Sequence, residues 1–299
     1  MKVTVVILTF NEEIHLERAI ASVREFADKI VIVDSGSTDR TREIANDCGA
    51  IILTNNWINY ATQFNWALAQ LSSETEWVMR LDADEIVMPN LAAEIRSTLS
   101  QCGSDIDGIY VSRRMTFMRR PIRYGGLFPI RVLRIFRYGQ GRCENRWMDE
   151  HIIVEGKVVE FQGEVLDDNL KSINWWTDKH NGYSSREAVD LLNLEFGFSP
   201  HETVASLSVS QQSALKRWVK EKIYAGLPPG LRALIYFLFR YFLKLGFLDG
   251  WEGTAFHVLQ GFWYRYLVDV KLYETKSYMH RNNVDPIIAI ERVLGICVR

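Results

Sequence analysis

Short apolar runs alternate with stretches of helical spacing over the first 85 residues of the chain. The runs are rich in β-branched residues and short, which predicts strands buried on both faces. Between them, apolar side chains such as Ala19, Val23 and Phe26 fall on one side of a helix. The regular alternation predicts an open, mostly parallel α/β sheet with helices on both faces. The predicted strands are Val3–Leu8, Lys29–Val33, Ala50–Leu53 and the run from Glu76 that leads into Arg80, and the last predicted helix of this part is Tyr60–Leu71.

Polar clusters follow three of these strands, at residues 9–13, 34–39 and 82–85. Ligands of such sheets bind beyond the carboxyl ends of the strands, so we expect the clusters to lie close together. Asp82 and Asp84 are two positions apart and leave the same face of an extended chain. Paired carboxylates predict a site for Mg²⁺ or Mn²⁺ carrying a phosphate, although this pattern also occurs by chance on protein surfaces.

Two interpretations stay open for the other polar residues of these clusters. Asp34 is placed to accept hydrogen bonds from a base or a ribose, or to cap a helix or close a turn. Thr9 and Asn11 are placed to bind the same groups. Glu12 has the alternative role of favouring the start of the next helix through its dipole.

Composition narrows the class of protein. The chain has 299 residues, of which 47% are hydrophobic, so it can form one large domain or two ordinary ones. A net charge of −2 provides no global field for nucleic acid, and we expect no such partner. The four cysteines are widely spaced, which predicts free thiols without a zinc site or disulfide framework. We expect neither a signal peptide nor a transmembrane helix, and no glycine-rich phosphate loop is present.

The middle of the chain combines a basic segment with a candidate general base. Ten arginines and one acid lie between Arg113 and Arg146. Guanidinium groups suit phosphate, so a phosphate-bearing acceptor or nucleotide is one interpretation and a solvated basic face is the other. Arg131 and Arg134 are the two of these arginines that we expect to contact acceptor or phosphate.

The sequence Asp149-Glu150-His151 follows this basic segment. Adjacent carboxylates raise one another's pKa, which suits a general base, whereas a plain polar turn is the alternative. Neighbouring residues of a strand point to opposite faces, so only one acid is expected to reach the acceptor, and we favour Glu150 over Asp149. His151 is placed to touch a diphosphate or metal.

The three polar clusters together resemble the signature of family 2 inverting glycosyltransferases, whose fold is the Rossmann-like GT-A fold. The resemblance covers roughly the first 180 residues. It implies that Thr9, Phe10, Asn11, Glu12 and Asp34 hold the nucleotide and that Asp82 contacts the ribose. It further implies that Asp82 and Asp84 bind Mg²⁺ or Mn²⁺ on the diphosphate, that uridine is the base, and that an acid of the 149–151 stretch accepts the proton.

The third predicted helix departs from the family pattern. Many relatives carry a basic residue before an asparagine there, whereas this chain has Gln63-Phe64-Asn65. Diphosphate contacts from that helix are therefore in doubt. We expect Gln63 and Asn65 to take part in donor binding all the same, with Arg80 as the substitute cation.

The C-terminal third is basic and aromatic. Residues 214–247 contain seven basic residues and one acid. Arg232, Tyr236, Arg240 and Lys244 recur every fourth position and form one polar stripe on an otherwise apolar helix. We interpret this as a helix lying in anionic lipid headgroups; a helix packed on the catalytic domain or in a dimer is the alternative. The predicted domains are residues 1–198, catalytic, and 199–299, helical, with a loop or lid at 199–213.

The sequence thus predicts a metal-dependent inverting glycosyltransferase of the hexosyltransferase type. Its partners would be a nucleotide-sugar donor and a glycan or lipid-linked acceptor of bacterial lipopolysaccharide or polysaccharide synthesis. It would lie in the cytoplasm, peripherally on the inner face of the inner membrane, and homo-oligomers are compatible with this picture. A sugar nucleotidyltransferase and a non-catalytic membrane adaptor are the alternatives. Nucleotidyltransferases commonly carry a glycine-rich loop with a basic residue near the N-terminus, and this chain has no such loop there. A non-catalytic adaptor would not need the acids Asp82, Asp84 and Glu150.

Overall fold

A computed structural model describes residues 2–144, 150–198 and 228–298. The described chain divides into two compact units. The first comprises residues 2–123, 127–144 and 150–170, and the second comprises 124–126 and the residues from 171 onward. The predicted boundary at residue 198 stays a prediction, although the helix at Ile173–Phe196 groups with the second unit. The loop or lid expected at 199–213 lies outside the described residues.

The first unit is built on a curled, mixed sheet. Its strands follow the order β3-β2-β1-β4-β8-β6-β11-β5, with β7 paired to β6, and β9 and β10 form a separate ladder. The α/β fold expected from the sequence is confirmed, but the described strand pairs are parallel and antiparallel in similar number. The strands are β1 (Val3–Thr9), β2 (Lys29–Asp34), β3 (Ile51–Thr54), β4 (Trp77–Asp82), β5 (Glu85–Val87), β6 (Ile106–Phe117), β7 (Arg120–Pro121), β8 (Ile130–Arg137), β9 (Gly141–Cys143), β10 (Ile152–Val154) and β11 (Lys157–Asp167).

The parallel half of the sheet brings the strand ends together. β1 pairs in parallel with β2 on one side and β4 on the other, in a register that sets Thr9 beside Asp34 and Leu8 beside Asp82. The three polar clusters therefore lie at one edge of the sheet, as expected from the sequence. Four helices flank this sheet in the first unit: α1 (Leu16–Val23), α2 (Thr41–Asp47), α3 (Tyr60–Ala69) and α4 (Pro89–Thr98).

These helices form because their apolar side chains match the helical period. In α1 the buried residues are Leu16, Ala19, Ile20 and Val23, which share one face. The side chain of Asn59 caps α3 by accepting a hydrogen bond from the Thr62 amide at 2.8 Å. One hydrophobic core lies under α1 and α4, and a second under α3, so both faces of the sheet are covered.

The sheet must curl because of the short link between β4 and β5. Only Ala83 and Asp84 separate these strands, so Asp82 and Glu85 are at most about 11 Å apart. Along the hydrogen-bonded order, however, β5 is four strands from β4, about 19 Å in a flat sheet. The strands from β4 to β5 therefore close into a ring, and the acidic segment 82–85 is the covalent link that closes it.

Strand β11 was not predicted from the sequence, although a signal for it is present. Val159, Phe161 and Val165 alternate with polar residues in the period-two pattern of a half-buried strand. The strand pairs in parallel with β6 and in antiparallel fashion with β5, with an irregularity between Glu160 and Glu164. β11 is therefore the strand that joins the ring to β5.

The second unit is helical in its described part. Ser172 caps α5 (Ile173–Phe196) by accepting a hydrogen bond from the Trp175 amide, and Gly197, with φ 65°, follows the end of the helix. Glu187 of α5 accepts hydrogen bonds from Tyr264 and Arg265 of α8 (Tyr264–Asn282), and these bonds connect the two helices. Its helices are α5 (Ile173–Phe196), α6 (Leu231–Leu238), a π-helical segment (Phe239–Leu243), a 3₁₀ turn (Gly246–Asp249), α7 (Gly250–Phe256), a second π-helical segment (His257–Trp263), α8 (Tyr264–Asn282) and α9 (Pro286–Leu294).

Gly163 of β11 provides a test of the packing between this strand and α4. A Cβ atom at Gly163 would lie 2.3 Å from the Cα atom of Leu91, which is backbone and cannot rotate away. We expect Gly163→Ala to lower the free energy of unfolding by about 1–3 kcal/mol, the range found for overpacked cores. Urea denaturation followed by circular dichroism measures this change.

Gly182, in the middle of α5, is the matched control. A Cβ atom there meets nothing within 4 Å, so Gly182→Ala should stabilise the helix by about 0.5–1 kcal/mol. Equal effects of the two substitutions would contradict the described contact between β11 and α4.

Candidate active site

Asp34 is the fixed point of the turn that follows β2. Its Oδ1 accepts hydrogen bonds from the amides of Gly36 (3.1 Å) and Ser37 (2.9 Å). Its Oδ2 accepts from the hydroxyls of Thr9 (3.0 Å) and Ser37. A carboxylate has about four acceptor sites, so these bonds fill it. The side chain is completely buried, so of its two proposed roles the structure displays that of closing the turn.

The segment after β1 docks onto the same turn. Asn11, at a positive φ of 55°, accepts from the Thr38 amide at 2.9 Å, and its own amide donates to Ser37 Oγ. The Glu12 amide donates to Thr41 Oγ1 at 2.7 Å. Phe10 remains 56% exposed at this edge. The first two polar clusters therefore form one hydrogen-bonded loop system, with the ring of Phe10 on its surface.

His15 links Glu12 to the end of the first unit. Its Nε2 accepts a hydrogen bond from the Leu170 amide at 2.8 Å, so the ring proton resides on Nδ1, which faces Glu12 Oε2. A backbone amide can only donate, and this fixes the tautomer. Glu12 is thereby held toward α1.

Gln63 and Asn65 of α3 both have partners within the chain. Gln63 is buried and bridges the ends of two strands, donating to Ser35 Oγ (3.0 Å) and to the Asn55 carbonyl (3.1 Å). Asn65 exchanges two hydrogen bonds of 2.8 Å with the backbone of Cys143 on β9. The predicted donor-binding role of both residues stays a prediction; in the structure they order the loops around the site.

Asp82 is held from two sides. Its Oδ1 accepts from the Tyr60 hydroxyl at 2.6 Å, and its Oδ2 accepts from Arg134 at 3.0 Å. Arg80 lies over the Tyr60 ring, 4.1 Å from its centroid. Burial alone would raise the pKa of the Asp82 carboxyl, but the charges of Arg134 and Arg80 outweigh it and hold that pKa well below its usual range. Asp82 is therefore an anion with a fixed orientation.

Glu85, the last residue of the acidic segment, is buried beside Asp82. It accepts a hydrogen bond from the same Arg134 nitrogen, and Arg113 lies 3.5 Å from it. Burial, helped by the negative charge of Asp82, raises the pKa of Glu85 to about 7 against the attraction of both arginines. Burial likewise raises the pKa of Asp167, which is bound to Arg113. Five strands, β4, β5, β6, β8 and β11, thus contribute side chains to one network of acids and arginines.

Asp84 is the acid best placed to meet a metal. Its side chain is partly exposed, and its Oδ2 accepts from Asn169 at 2.8 Å. Within the described residues no group of three or more His, Cys, Asp or Glu side chains could hold a metal ion by itself. Mg²⁺ is usually held by one or two carboxylates together with substrate phosphates and water, and Asp84, oriented by Asn169, fits that arrangement. Asp82 fits less well, since both its oxygens are already hydrogen-bonded.

Glu150 is anchored to this edge through its backbone. Its carbonyl accepts from Arg80 Nη1 at 3.1 Å, and Arg80 in turn lies beside Asp82. Next to it, the His151 amide donates to Glu144 at 3.0 Å, and the ring of His151 is exposed. Asp149, the alternative base, lies outside the described residues.

Arg131, a predicted contact of acceptor or phosphate, is engaged elsewhere, and so is His180 on α5. Arg131, three residues from Arg134, donates to the Phe161 carbonyl at 3.1 Å and faces Glu160 on β11. His180 stacks on Trp176 with centroids 3.5 Å apart, and burial lowers its pKa to about 4. His180 is therefore a structural residue of the second unit.

Several partners of the site were not found from the sequence. They come from the start of α3, from β6 and from the end of β11 with the two residues after it: Tyr60, Arg113, Asp167, Asp168 and Asn169. The alternating pattern of β11 could have placed the last three at a strand end. Tyr60 carries no sequence signal, because one aromatic residue at the start of a helix is more often part of a core.

The raised pKa of Glu85 predicts a pH dependence of stability. Between pH 4.5, the ordinary value, and about 7, native Glu85 keeps a proton that the unfolded chain releases. The native state then binds more protons, so the free energy of unfolding falls as pH rises through this window. Glu85 alone can make the free energy of unfolding fall by at most about 1.4 kcal/mol per pH unit. We expect Glu85→Gln to remove this part of the pH dependence.

Urea denaturation at several pH values between 4.5 and 7.5 measures that slope. Glu17→Gln, at an exposed position of α1, is the control and should behave as the parent protein. An unchanged slope in Glu85→Gln would rule out the buried, protonated state of Glu85.

Comparison with known proteins agrees with this architecture. The model of the family "Glycosyl transferase family 2" matches residues 4–151. A glycosyltransferase of Rickettsia typhi is 26% identical, covering 99% of this chain and 94% of its own. The lipopolysaccharide core biosynthesis glycosyltransferase LpsC of Rhizobium meliloti is 28% identical, covering 93% of this chain and 94% of its own.

Among solved structures, similarity is found to glucosyl-3-phosphoglycerate synthase of Mycobacterium tuberculosis in complex with Mn²⁺, UDP and glucosyl-3-phosphoglycerate. The two are 25% identical over 38% of this chain and 44% of that one, with a TM-score of 0.33. A score this low supports no inference about ligands of this chain. The matched family model instead shows that residues 4–151 are a glycosyltransferase family 2 domain, and the two relatives of similar length are glycosyltransferases as well.

Proposed function

We propose that this glycosyltransferase moves a sugar, with inversion, from a nucleotide-diphosphate sugar to a hydroxyl of its acceptor. The observation that supports this most directly is the shared strand edge. At this edge lie the saturated turn at Asp34, the fixed carboxylate of Asp82 and the partly exposed carboxylate of Asp84. Arg80 stacks on Tyr60 beside Asp82 and holds the backbone of Glu150. Ligands of open α/β sheets bind at such edges.

The donor would bind across the loops after β1 and β2. Asp34 has no acceptor site left for a ligand, so we assign nucleotide contacts to the groups that it positions. These are the exposed ring of Phe10, the backbone of the Asn11–Glu12 segment and the turn from Ser35 to Thr38. Uridine is the base that we propose.

Asp84 and the diphosphate would together hold Mg²⁺ or Mn²⁺. Such an ion, when bound, stabilises the negative charge that grows on the leaving diphosphate. The chain's own contribution is orientation: Asn169 holds one oxygen of Asp84, and the Asp168 amide donates to the Asp84 carbonyl at 3.0 Å. Asp82, fixed by Tyr60 and Arg134, is assigned to the ribose.

Glu150 is the proposed general base. Its carboxylate takes the proton of the acceptor hydroxyl while that oxygen forms a bond to the anomeric carbon. The bond from the anomeric carbon to the phosphate oxygen breaks, and the nucleoside diphosphate leaves with the electron pair. Attack from the side opposite the leaving group inverts the configuration, and no covalent enzyme intermediate is required.

The acceptor class follows from the relatives. LpsC acts in lipopolysaccharide core biosynthesis and aligns over nearly the whole chain. We therefore propose a glycan or lipid-linked acceptor of cell-surface polysaccharide synthesis, reached at the inner face of a bacterial membrane. Among the described residues, no helix is both long and apolar enough to span a bilayer, so association with the membrane would be peripheral or monotopic.

Asp84→Asn tests the metal assignment. The substitution removes the negative charge but keeps the size, so Mn²⁺ binding in the presence of UDP should weaken at least tenfold, measured by titration calorimetry. Release of UDP from UDP-sugars with deacylated lipopolysaccharide as acceptor should fall by about 100-fold or more, as for other losses of transition-state charge stabilisation. Asp47→Asn, exposed on α2, should match the parent protein. Undiminished Mn²⁺ affinity in Asp84→Asn would refute the assignment.

Glu150→Gln tests the base. An amide cannot take the proton, so transfer should fall by about 10²–10⁴-fold, the contribution typical of general bases. The increase in melting temperature caused by UDP with Mn²⁺ should persist, because donor contacts are intact. Glu155→Gln, exposed between β10 and β11, is the control. If Asp149→Asn is inactive and Glu150→Gln is active, the neighbouring acid is the base.

A further inference from the structure

The second unit contains a helical hairpin, residues 231–263, which we call the C-terminal hairpin. Its first arm is α6 and the π-helical segment Phe239–Leu243, and its return arm runs from α7 through His257–Trp263. The arms pack against each other, with the rings of Phe237 and Phe262 6.3 Å apart. Between the arms, residues 244–249 form the tip.

Two cations of the polar stripe, Arg232 and Arg240, face the interior of their own unit. Arg232 donates to Asp269 at 2.6 Å, and Asp269 is only 3% exposed. Arg240 is 4% exposed and donates to the Gly125 carbonyl at 3.1 Å. The expectation that Arg232 and Arg240 lie in lipid headgroups is therefore wrong, because these cations have partners inside the unit. Because the face that carries Arg232 and Arg240 points inward, the apolar sides of the helix point outward.

The outward surface is almost entirely apolar. Twelve residues between Leu231 and Trp251 are exposed, and eleven of them are hydrophobic. The exception is Lys244. Exposure is greatest near the tip, reaching 74% at both Leu243 and Trp251. The eleven are Leu231, Leu234, Ile235, Leu238, Phe239, Phe242, Leu243, Leu245, Phe247, Leu248 and Trp251.

The composition of this surface favours lipid over a protein partner. Protein interfaces are about 55–65% apolar by area and carry many hydrogen bonds, so a partner chain normally meets polar side chains. Here the exposed side chains of the first arm and tip offer a single polar group. The sequence before the hairpin is basic, with four basic residues and one acid in 214–222, which complements anionic headgroups.

The length of the hairpin excludes a full crossing. Its first arm, 231–243, has 13 residues and is about 20 Å long at the rise of an α-helix. The hydrocarbon core of a bilayer is about 30 Å thick. An arm of this length reaches into one leaflet and returns on the same side, and Lys244 at the turn carries the only exposed charge of the first arm and tip.

We propose that the C-terminal hairpin inserts its tip into one leaflet of a bilayer with anionic headgroups, with Leu243, Leu248 and Trp251 deepest. This inference deepens the proposed function, which rests on an acceptor at a membrane, by naming the surface that binds the lipid. Lipid binding by the hairpin can be measured without donor, metal or acceptor. A failure of lipid binding can therefore be distinguished from a failure of the transfer reaction.

Flotation of the full chain with vesicles tests the hairpin. The vesicles contain equal parts of phosphatidylglycerol and phosphatidylethanolamine, or phosphatidylcholine alone. We expect the parent protein to float with the anionic vesicles and Leu243→Asp to partition at least tenfold less, since burial of one leucine alone is worth about that factor or more. Ile58→Asp in the first unit, at a site 70% exposed, is the matched control and should float as the parent does.

Quenching by lipids brominated on the acyl chain tests the depth. The chain has nine tryptophans, so the quenching that Trp251→Phe abolishes is assigned to Trp251. Loss of a clear share of the quenching supports insertion of the tip, and no loss contradicts it. Parent-like flotation of Leu243→Asp would overturn the proposal. It is also overturned if the parent stays with the solution phase, or if Leu243→Asp only splits a dimer in sedimentation velocity.

Discussion

The guanidinium group of Arg134 holds the candidate active site together. It lies on β8, is almost completely buried, and binds Asp82 on β4 and Glu85 on β5 at once. Loss of one partner from such a buried pair typically costs about 3–5 kcal/mol, because the remaining charge stays buried without compensation. The position of the antiparallel strand β8 between β4 and β6 is therefore an electrostatic requirement as well as a hydrogen-bonding one. Arg134 helps to keep Asp82 ionised and fixed, whereas burial and the charge of Asp82 push Glu85 toward its neutral form against the attraction of the same arginine.

A second constraint is that the side chains around the site form their hydrogen bonds within the chain itself. Asp34 fills its four acceptor positions with Thr9 of β1 and the turn after β2, and the side chain of Asn65 pairs with the backbone of Cys143 as another strand would. Groups that are satisfied in this way do not need a ligand to stay in place. The site is thus arranged before any donor arrives, which reduces the ordering cost of binding. Asp84, with one oxygen oriented by Asn169, is the acid that this arrangement leaves most accessible.

The sequence predicts correctly that the three polar clusters share one edge of the sheet, because each cluster directly follows an apolar strand and parallel strands bring their ends together. It predicts the partners of those acids poorly. Arg113 and Asp167 are 54 positions apart, and no local pattern connects them. The C-terminal hairpin shows a different limit. Periodicity identifies a polar and an apolar face, but the direction that each face takes depends on Asp269, which lies 37 positions from Arg232.

The covalent closure of the sheet ring has a consequence for how the enzyme can change. Ala83 and Asp84 join β4 to β5 across a gap that only a curled sheet can provide. A deletion there would leave the link too short for this gap, and an insertion would shift Asp84 relative to Asn169, so we expect this segment to tolerate little change in length. The turn from Ser35 to Thr38 closes no such ring. Under the proposed function, we therefore expect changes of donor preference to lie in that turn and not in the length of the acidic link.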